Sequence, residues 1–334
     1  DIGHNIDYGP PELYGSPTIW PDVQFFLVDR YQRLARIADE IGRPPEEVAE
    51  WAEKADRLTH GIREHMWDDE KGTFWCVSNT LEFKPIPSPI EFHSMIAGIA
   101  TPEQVERLLV RLNDPEKYAP NEEHPYGLPS APFDSPYFVV KDSWSGTIWP
   151  IQTYYTVRGL VSYGRQDEAA AVSKNLYGMM ARNYRESGSI WEQYDPCTGN
   201  DLSHGYEGSG APEVGRGYFT SGIATSVLDM LLRGLLGFER KDAPGTFSLN
   251  PRPLNDQWHG VGNLALDAGV RMDISVRKRN GHADCRIHFA GFENGAQKVL
   301  VTTREQSREF AMENNCVQFS CDGASPVQCR LKMA

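Results

Sequence analysis

From Asp22 to Ile41 (DVQFFLVDRYQRLARIADEI) apolar residues recur every three to four positions, the spacing that gathers one face of a helix, and Gly42-Arg43-Pro44-Pro45 ends the run. A second helix is predicted from Pro45 to Trp67, with Glu46 and Glu47 in the first turn, where the helix dipole favours negative charge. The two form a helical hairpin. A turn over Asp68 to Gly72 then leads into an extended piece, Thr73 to Val77, before Pro85, Pro87 and Pro89 mark a loop. Shorter helices are expected over Ile90 to Ile99 and Pro102 to Leu112, and Thr147 to Tyr163 with Gln166 to Tyr184 reads as a second hairpin of helices. Two long loops interrupt them, Asn113 to Asp142 with six prolines and Glu186 to Tyr218 with seven glycines; loops of that length in a compact domain usually carry function.

After a last helix, Phe219 to Leu236, the period changes from helical to alternating. Short segments such as VRMDISVRKRNG, ADCRIHFAG and CVQFSCDG, punctuated by Gly and Asn, are the pattern of an antiparallel sandwich. This places a domain boundary near residue 240, with a helical domain over 1–238 and a small antiparallel β-sandwich over 239–334, so the fold class expected is mainly α. We read the sandwich as structural rather than as a sugar-binding module.

Composition narrows the partners. The 334 residues are 40% hydrophobic and 11% aromatic, ample for a core, and the formal net charge of -13 argues against nucleic acid, whose phosphates need clustered Lys and Arg. No apolar run approaches the roughly 18 residues that span a bilayer, so no membrane partner is expected. Cys76, Cys197, Cys285, Cys316, Cys321 and Cys329 include no CxxC pair and nothing resembles a zinc ligand set; neither a metal nor a cofactor is expected, although the last three cysteines lie close enough in sequence to leave a disulfide open.

The candidate chemistry centres on Glu192, in SIWEQYDPCTGN. It sits in a turn-rich strip, between Trp191 and Gln193-Tyr194, rather than within a helical period. Aromatic rings on either side of a carboxylate suit a carbohydrate, because sugar CH faces stack on them and the rings keep water from a titrating acid. That strip is similar to the (F/W)xExYDPxTG loop of glycoside hydrolase family 63 and its relatives, the trehalases and glucosylglycerate hydrolases. Three further blocks in the same order strengthen the resemblance. YGLPSAPFDSPYF (126–138) looks like their GxPSxxxxDPxF loop, WSGTIWPIQTYYTVRGL (144–160) like their WRGPxW helix start, and YFTSGIATSVLDML (218–231) like a later helix.

The resemblance implies an (α/α)6 toroid, an inverting glycoside hydrolase acting at a non-reducing end, and Glu192 as its general base. A toroid needs twelve helices, whereas about seven can be read in residues 20–237. We therefore expect this chain to hold the C-terminal part of the toroid, with an upstream segment or a second polypeptide completing it. The family's general acid is the Asp of an (S/T)G(W/M)D motif, and here the corresponding stretch is Ile2-Gly3-His4-Asn5-Ile6-Asp7. Strict spacing puts Asn5 at the acid position, and an amide cannot deliver a proton. Either the spacing is shifted and Asp7 is the acid, or Asn5 marks an altered site. We take Asp7 as the acid, ahead of Glu12, which follows the extended Pro10-Pro11 pair.

Substrate contacts are expected from His4, Asn5, Tyr126, Trp144, Trp149, Trp191 and Gln193. A tryptophan at a helix start is as often core, and a lone loop histidine is more often structural. A second departure is Ser145, where the family carries arginine; without that planar donor fork the sugar is open, and arabinosides or rhamnosides compete with the family's usual glucosides. A carbohydrate-binding protein that keeps the toroid and has lost the acid is the rival from outside the enzymes.

Overall fold

The computed structural model describes residues 18–139, 145–200 and 224–333, apart from 242, 268, 292–295, 304–305 and 323–325. The chain divides into two compact units, one made of residues 1–164 and 175–227, the other of 165–174 and 228–334.

In the first unit the long helices are α1 (Pro21–Glu40), α2 (Pro45–His65), α3 (Pro102–Leu112), α4 (Pro150–Ser162) and α5 (Gln166–Ser187), whose first turns belong to the second unit. The first four begin with proline at a position where its missing N–H costs no hydrogen bond and its fixed φ suits the helix. At α3 a capping box adds to this: Thr101 Oγ1 accepts from Gln104 N at 3.2 Å, and Gln104 Oε1 accepts from Thr101 N at 2.9 Å. The expected hairpin of α1 and α2 is present, with Tyr31 stacked on Trp51 at 5.9 Å between ring centroids. Helix was expected at Ile90 to Ile99; instead Pro89–Met95 is a 3-10 segment capped by Ser88.

The short strands β1 (Thr18–Ile19), β2 (Trp67–Asp68), β3 (Thr73–Phe74), β4 (Cys76–Ser78) and β5 (Phe83–Lys84) form two small sheets among these helices, in the orders β1-β4-β5 and β2-β3. Glu91, on the 3-10 segment and 2% exposed, accepts from Arg111 Nε of α3 at 2.7 Å and Nη2 at 3.1 Å, and also from the Thr73 hydroxyl of β3. This bidentate pair is part of what fixes the segment on which α4 rests. At the crossing, a Cβ on Gly159 would lie 2.8 Å from Met95 Cβ, so only glycine lets α4 approach so closely.

The second unit takes in the first turns of α5 and the end of α6 (Ala224–Asp229), which passes from the first unit into the second at residue 228 and continues as a π-helix over Met230–Leu235. Beyond it lie β6 (Glu239–Arg240), β7 (Thr246–Leu249), β8 (His259–Asp267), β9 (Val270–Arg279), β10 (His282–Ala290), β11 (Ala296–Thr302), β12 (Ser307–Ala311), β13 (Cys316–Cys321) and β14 (Val327–Met333). They form two antiparallel sheets, ordered β13-β10-β9-β8 and β12-β11-β14-β7-β6. The alternation seen in the sequence is the alternation of burial: along β10, Ala283, Cys285, Ile287 and Phe289 are buried, while His282, Arg286, His288 and Ala290 are exposed. The buried positions of both sheets meet in one cluster that includes Phe247, Ile274, Ile287, Phe289, Val299 and Cys329. With this unit strand-built, the expectation of a mainly α chain gives way to a mixed helix-and-sheet protein. The cysteines are free thiols, and the pair with sulfurs close together is Cys285 and Cys321, at 4.0 Å, on neighbouring strands.

Candidate active site

The glutamate loop is clipped to the start of α4 by a two-residue bridge. Ile148 N donates to Tyr194 O at 2.8 Å and Tyr194 N returns the bond to Ile148 O at 3.0 Å. Pro150 gives α4 its start, and Trp149 ends the extended backbone before it. Thus the same local chemistry that begins a helix positions the strand that Tyr194 pairs with. Within the loop, Tyr194 folds back so that its hydroxyl accepts from Trp191 N at 2.8 Å, closing a turn over Glu192 and Gln193. Both aromatic residues are fully buried.

Glu192 stands in that turn half-buried, and burial pushes its carboxyl above the usual range. Among the described residues no cation or hydrogen-bond donor meets it. The contrast with Asp195, three positions on, is informative. Asp195 is 4% exposed, and its Oδ1 accepts from Cys197 N at 2.7 Å and Thr198 N at 3.2 Å. That carboxylate is consumed in building the turn, with Gly199 at φ +65° completing it through Gly199 N to Asp195 O at 2.7 Å. The Asp-Pro-Cys-Thr-Gly run is therefore scaffold, and the carboxylate left uncommitted is Glu192.

Trp149, Trp191, Glu192 and Gln193 gather around the bridge, and the Tyr126 backbone joins the loop through its N–H to Pro196 O at 3.3 Å. Trp149, Trp191 and Gln193 are each under 10% exposed, so they present little surface and their packing contributes to the loop's shape. The Tyr126 hydroxyl accepts from Arg182 Nη1 at 2.8 Å. Ser145, at the position of the family's arginine, is buried. His4, Asn5, Asp7 and Trp144 lie outside the described residues.

Two residues that the sequence reading passed over as functional candidates stand out. Asp22, at the start of α1, is 2% exposed; burial raises its pKa, and its Oδ1 has no partner among the described residues. In the sequence it marks only the start of a helix, and packing reveals it as a desolvated acid. Arg182, on the exposed-looking part of α5, carried no signal at all. His93 belongs to the core: burial lowers its pKa to about 4, and it packs on Phe26 and Tyr155. Among the described residues no group of three or more His, Cys, Asp or Glu is placed to hold a metal ion, and no helix is long and apolar enough to cross a membrane.

Glu192 is thus a partly desolvated, uncommitted carboxylate on a loop anchored by buried aromatic residues. Residues 6–221 match the model of the mannosylglycerate hydrolase MGH1-like glycoside hydrolase domain, and the chain belongs to that family. It is 27% identical over 224 residues to the mannosylglycerate hydrolase of Rubrobacter radiotolerans, covering 65% of this chain and 45% of that protein. It is 30% identical over 138 residues to mannosylglycerate hydrolase MGH2 of Selaginella moellendorffii, covering 40% of this chain and 26% of that protein. The chain thus spans less than half the length of these curated relatives. A solved sialidase structure superposes on 94% of this chain and 27% of its own with a TM-score of 0.65 at 16% identity, a likeness of fold alone.

Proposed function

We propose that this chain carries the general base of an inverting, exo-acting glycoside hydrolase, with Glu192 as the base and Asp7, or an equivalent near Asn5, as the acid. The observation that carries the reading is the state of Glu192: partly desolvated and uncommitted among the described residues, on a loop whose other carboxylate is spent on the turn. Ionised, it takes a proton from water as that water attacks the anomeric carbon, while the acid protonates the departing glycosidic oxygen. His4, Asn5 and Trp144 are the candidate sugar contacts, and the buried Trp149, Trp191 and Gln193 act through the shape of the loop. The relatives' names make mannosylglycerate the first compound to try; a buried Ser145 in place of arginine favours a second reading, a different sugar such as an arabinoside or rhamnoside.

The test is stereochemical. Inverting enzymes hold their two carboxyl groups about 6.5–9.5 Å apart, leaving room for water, against about 5–5.5 Å in retaining ones. Proton NMR of the first-formed product is expected to show the anomer opposite to that of the substrate. Unchanged configuration would remove both the inverting mechanism and the role of Glu192 as base. Calorimetric binding of the sugar without any release would instead favour a binding protein.

The same proposal includes the (α/α)6 toroid over 1–238, followed by a small β-sandwich over 239–334, with helices from an upstream segment or a second polypeptide completing the ring. In its support, Val23, Leu27, Leu34 and Ile37 lie on one face of α1, with Arg30 among them and Ile41 just past the helix end, and these apolar residues are 37–68% exposed. An apolar stripe of that length is costly in water and is normally covered. Residues 1–334 alone are expected to bind a hydrophobic dye and to self-associate on gel filtration. A monomer with a sharp cooperative melt and no dye binding would show the stripe to be an ordinary surface.

A further inference from the structure

The loop behind Glu192 is fastened from outside by two neighbouring residues of α5. Arg182 Nη2 donates to Thr198 O at 2.8 Å while its Nη1 donates to the Tyr126 hydroxyl at 2.8 Å, and its guanidinium carbon lies 5.5 Å from the Tyr126 ring centroid. Asn183 Nδ2 donates to Gly199 O at 2.7 Å and is itself steadied by Met179 O at 2.9 Å. Tyr126 N reaches Pro196 O at 3.3 Å. Three loop carbonyls are therefore each met by a donor from elsewhere in the chain. Packing tightens this further, since a Cβ on Gly199 would lie 2.6 Å from the Tyr126 ring and 2.8 Å from Arg182 Nη2. Between Glu192 and this fastened turn, the loop is also held by the Ile148–Tyr194 bridge.

We propose that Arg182 and Tyr126 form a latch that sets the position of Glu192, so that both are positioning residues for the base and Tyr126 acts on the loop rather than on the sugar. The inference rests on the reading of Glu192 as the base. Its physical ground is the shape of the guanidinium. A planar fork donates in two fixed directions at once, here to a backbone carbonyl and to a phenol oxygen, and a lysine ammonium keeps the charge without that geometry. Freed from the latch, the 195–200 turn can shift as a unit, and Tyr194, which joins that turn to Glu192 and whose hydroxyl accepts from Trp191 N, passes the shift to the carboxylate. A reacting group displaced by about 1 Å loses on the order of 10²-fold in rate.

Arg182→Lys preserves charge and Tyr126→Phe removes a single hydroxyl, so both variants test geometry with little threat to folding, which thermal melts check. Two readouts separate a latch from general stabilisation. In the first, the Glu192 carboxyl is titrated by carbon NMR, its signal assigned by its disappearance in Glu192→Gln. Parent protein is expected to titrate above the ordinary glutamate range, and both variants to shift downward as the released loop lets water reach the carboxylate. In the second, kcat on a dinitrophenyl glycoside is expected to fall about 10–100-fold in Arg182→Lys with KM within about twofold, and to fall no further when Arg182→Lys is added to Glu192→Gln. An unmoved Glu192 titration, an unchanged kcat, or a full additional loss in the Glu192→Gln background would overturn the latch, as would a raised KM at constant kcat, which is the mark of direct sugar contact. Full activity in Glu192→Gln alone would instead overturn the base assignment, so the two failures read differently.

Discussion

Glu192→Gln is expected to lower kcat by about 10³-fold on every substrate, whatever its leaving group, while the protein folds and melts as before. Loss of a general base removes about 10²–10⁴-fold. The loss is independent of the leaving group because the base acts on the attacking water. Folding is expected to survive, since no hydrogen bond or ion pair among the described residues depends on this carboxylate. The pH profile gives a second check. Burial raises the pKa of Glu192 in the folded chain, so its ionised form costs stability: the folded state is favoured below the unfolded value of about 4.3, and that advantage is lost as pH rises through the folded value. Catalysis needs the ionised form and runs the other way, so the acid limb of kcat/KM should lie above the usual carboxylate range and be absent from the residual activity of Glu192→Gln. Activity within about tenfold of the parent would take Glu192 out of the mechanism.

Asp7→Asn is the second large effect and is expected to depend on the leaving group. An acid that protonates the departing oxygen is worth about 10²–10⁴-fold for an alkyl glycoside or a sugar aglycone and little for dinitrophenolate, which leaves without a proton. The variant should therefore be crippled on the former and close to the parent on the latter, whereas Glu192→Gln fails on both. Asp22→Asn is the comparison that matters, because Asp22 is the buried carboxyl with a raised pKa at the start of α1. If the dependence on leaving group appears in Asp22→Asn and not in Asp7→Asn, the acid is Asp22, and the shifted spacing around Asn5 has misled the assignment.

Much of the local structure was legible in the chain. Pro21, Pro45 and Pro102 begin helices within a residue or two of where the periodicity predicts, while α4 starts at Pro150, three residues later than predicted, because Ile148 before it pairs with Tyr194. Strand alternation marked β9 and β10 correctly, because a period of two along a half-buried sheet is a property of neighbouring residues. The Ile90 to Ile99 region failed as a helix. Its conformation is set by Glu91 reaching Arg111 and Thr73, partners far away in sequence.

The candidate site divides in the same way. By itself the sequence determined the kinds of residue and their order: a glutamate between aromatic residues, an Asp-Pro-Cys-Thr-Gly turn, prolines that start helices, and four blocks in the order of a glycosidase family. These depend on a few adjacent residues, whose propensities and spacing are written in the chain. Only the tertiary structure decided that Asp195 is spent on its own turn, that Trp149 and Trp191 are packed away, that Asp22 is desolvated, and that Arg182 reaches Tyr126 and Thr198. Burial and long-range hydrogen bonds join residues as far apart as positions 126 and 182, and no local pattern encodes which distant groups will meet once the chain has packed.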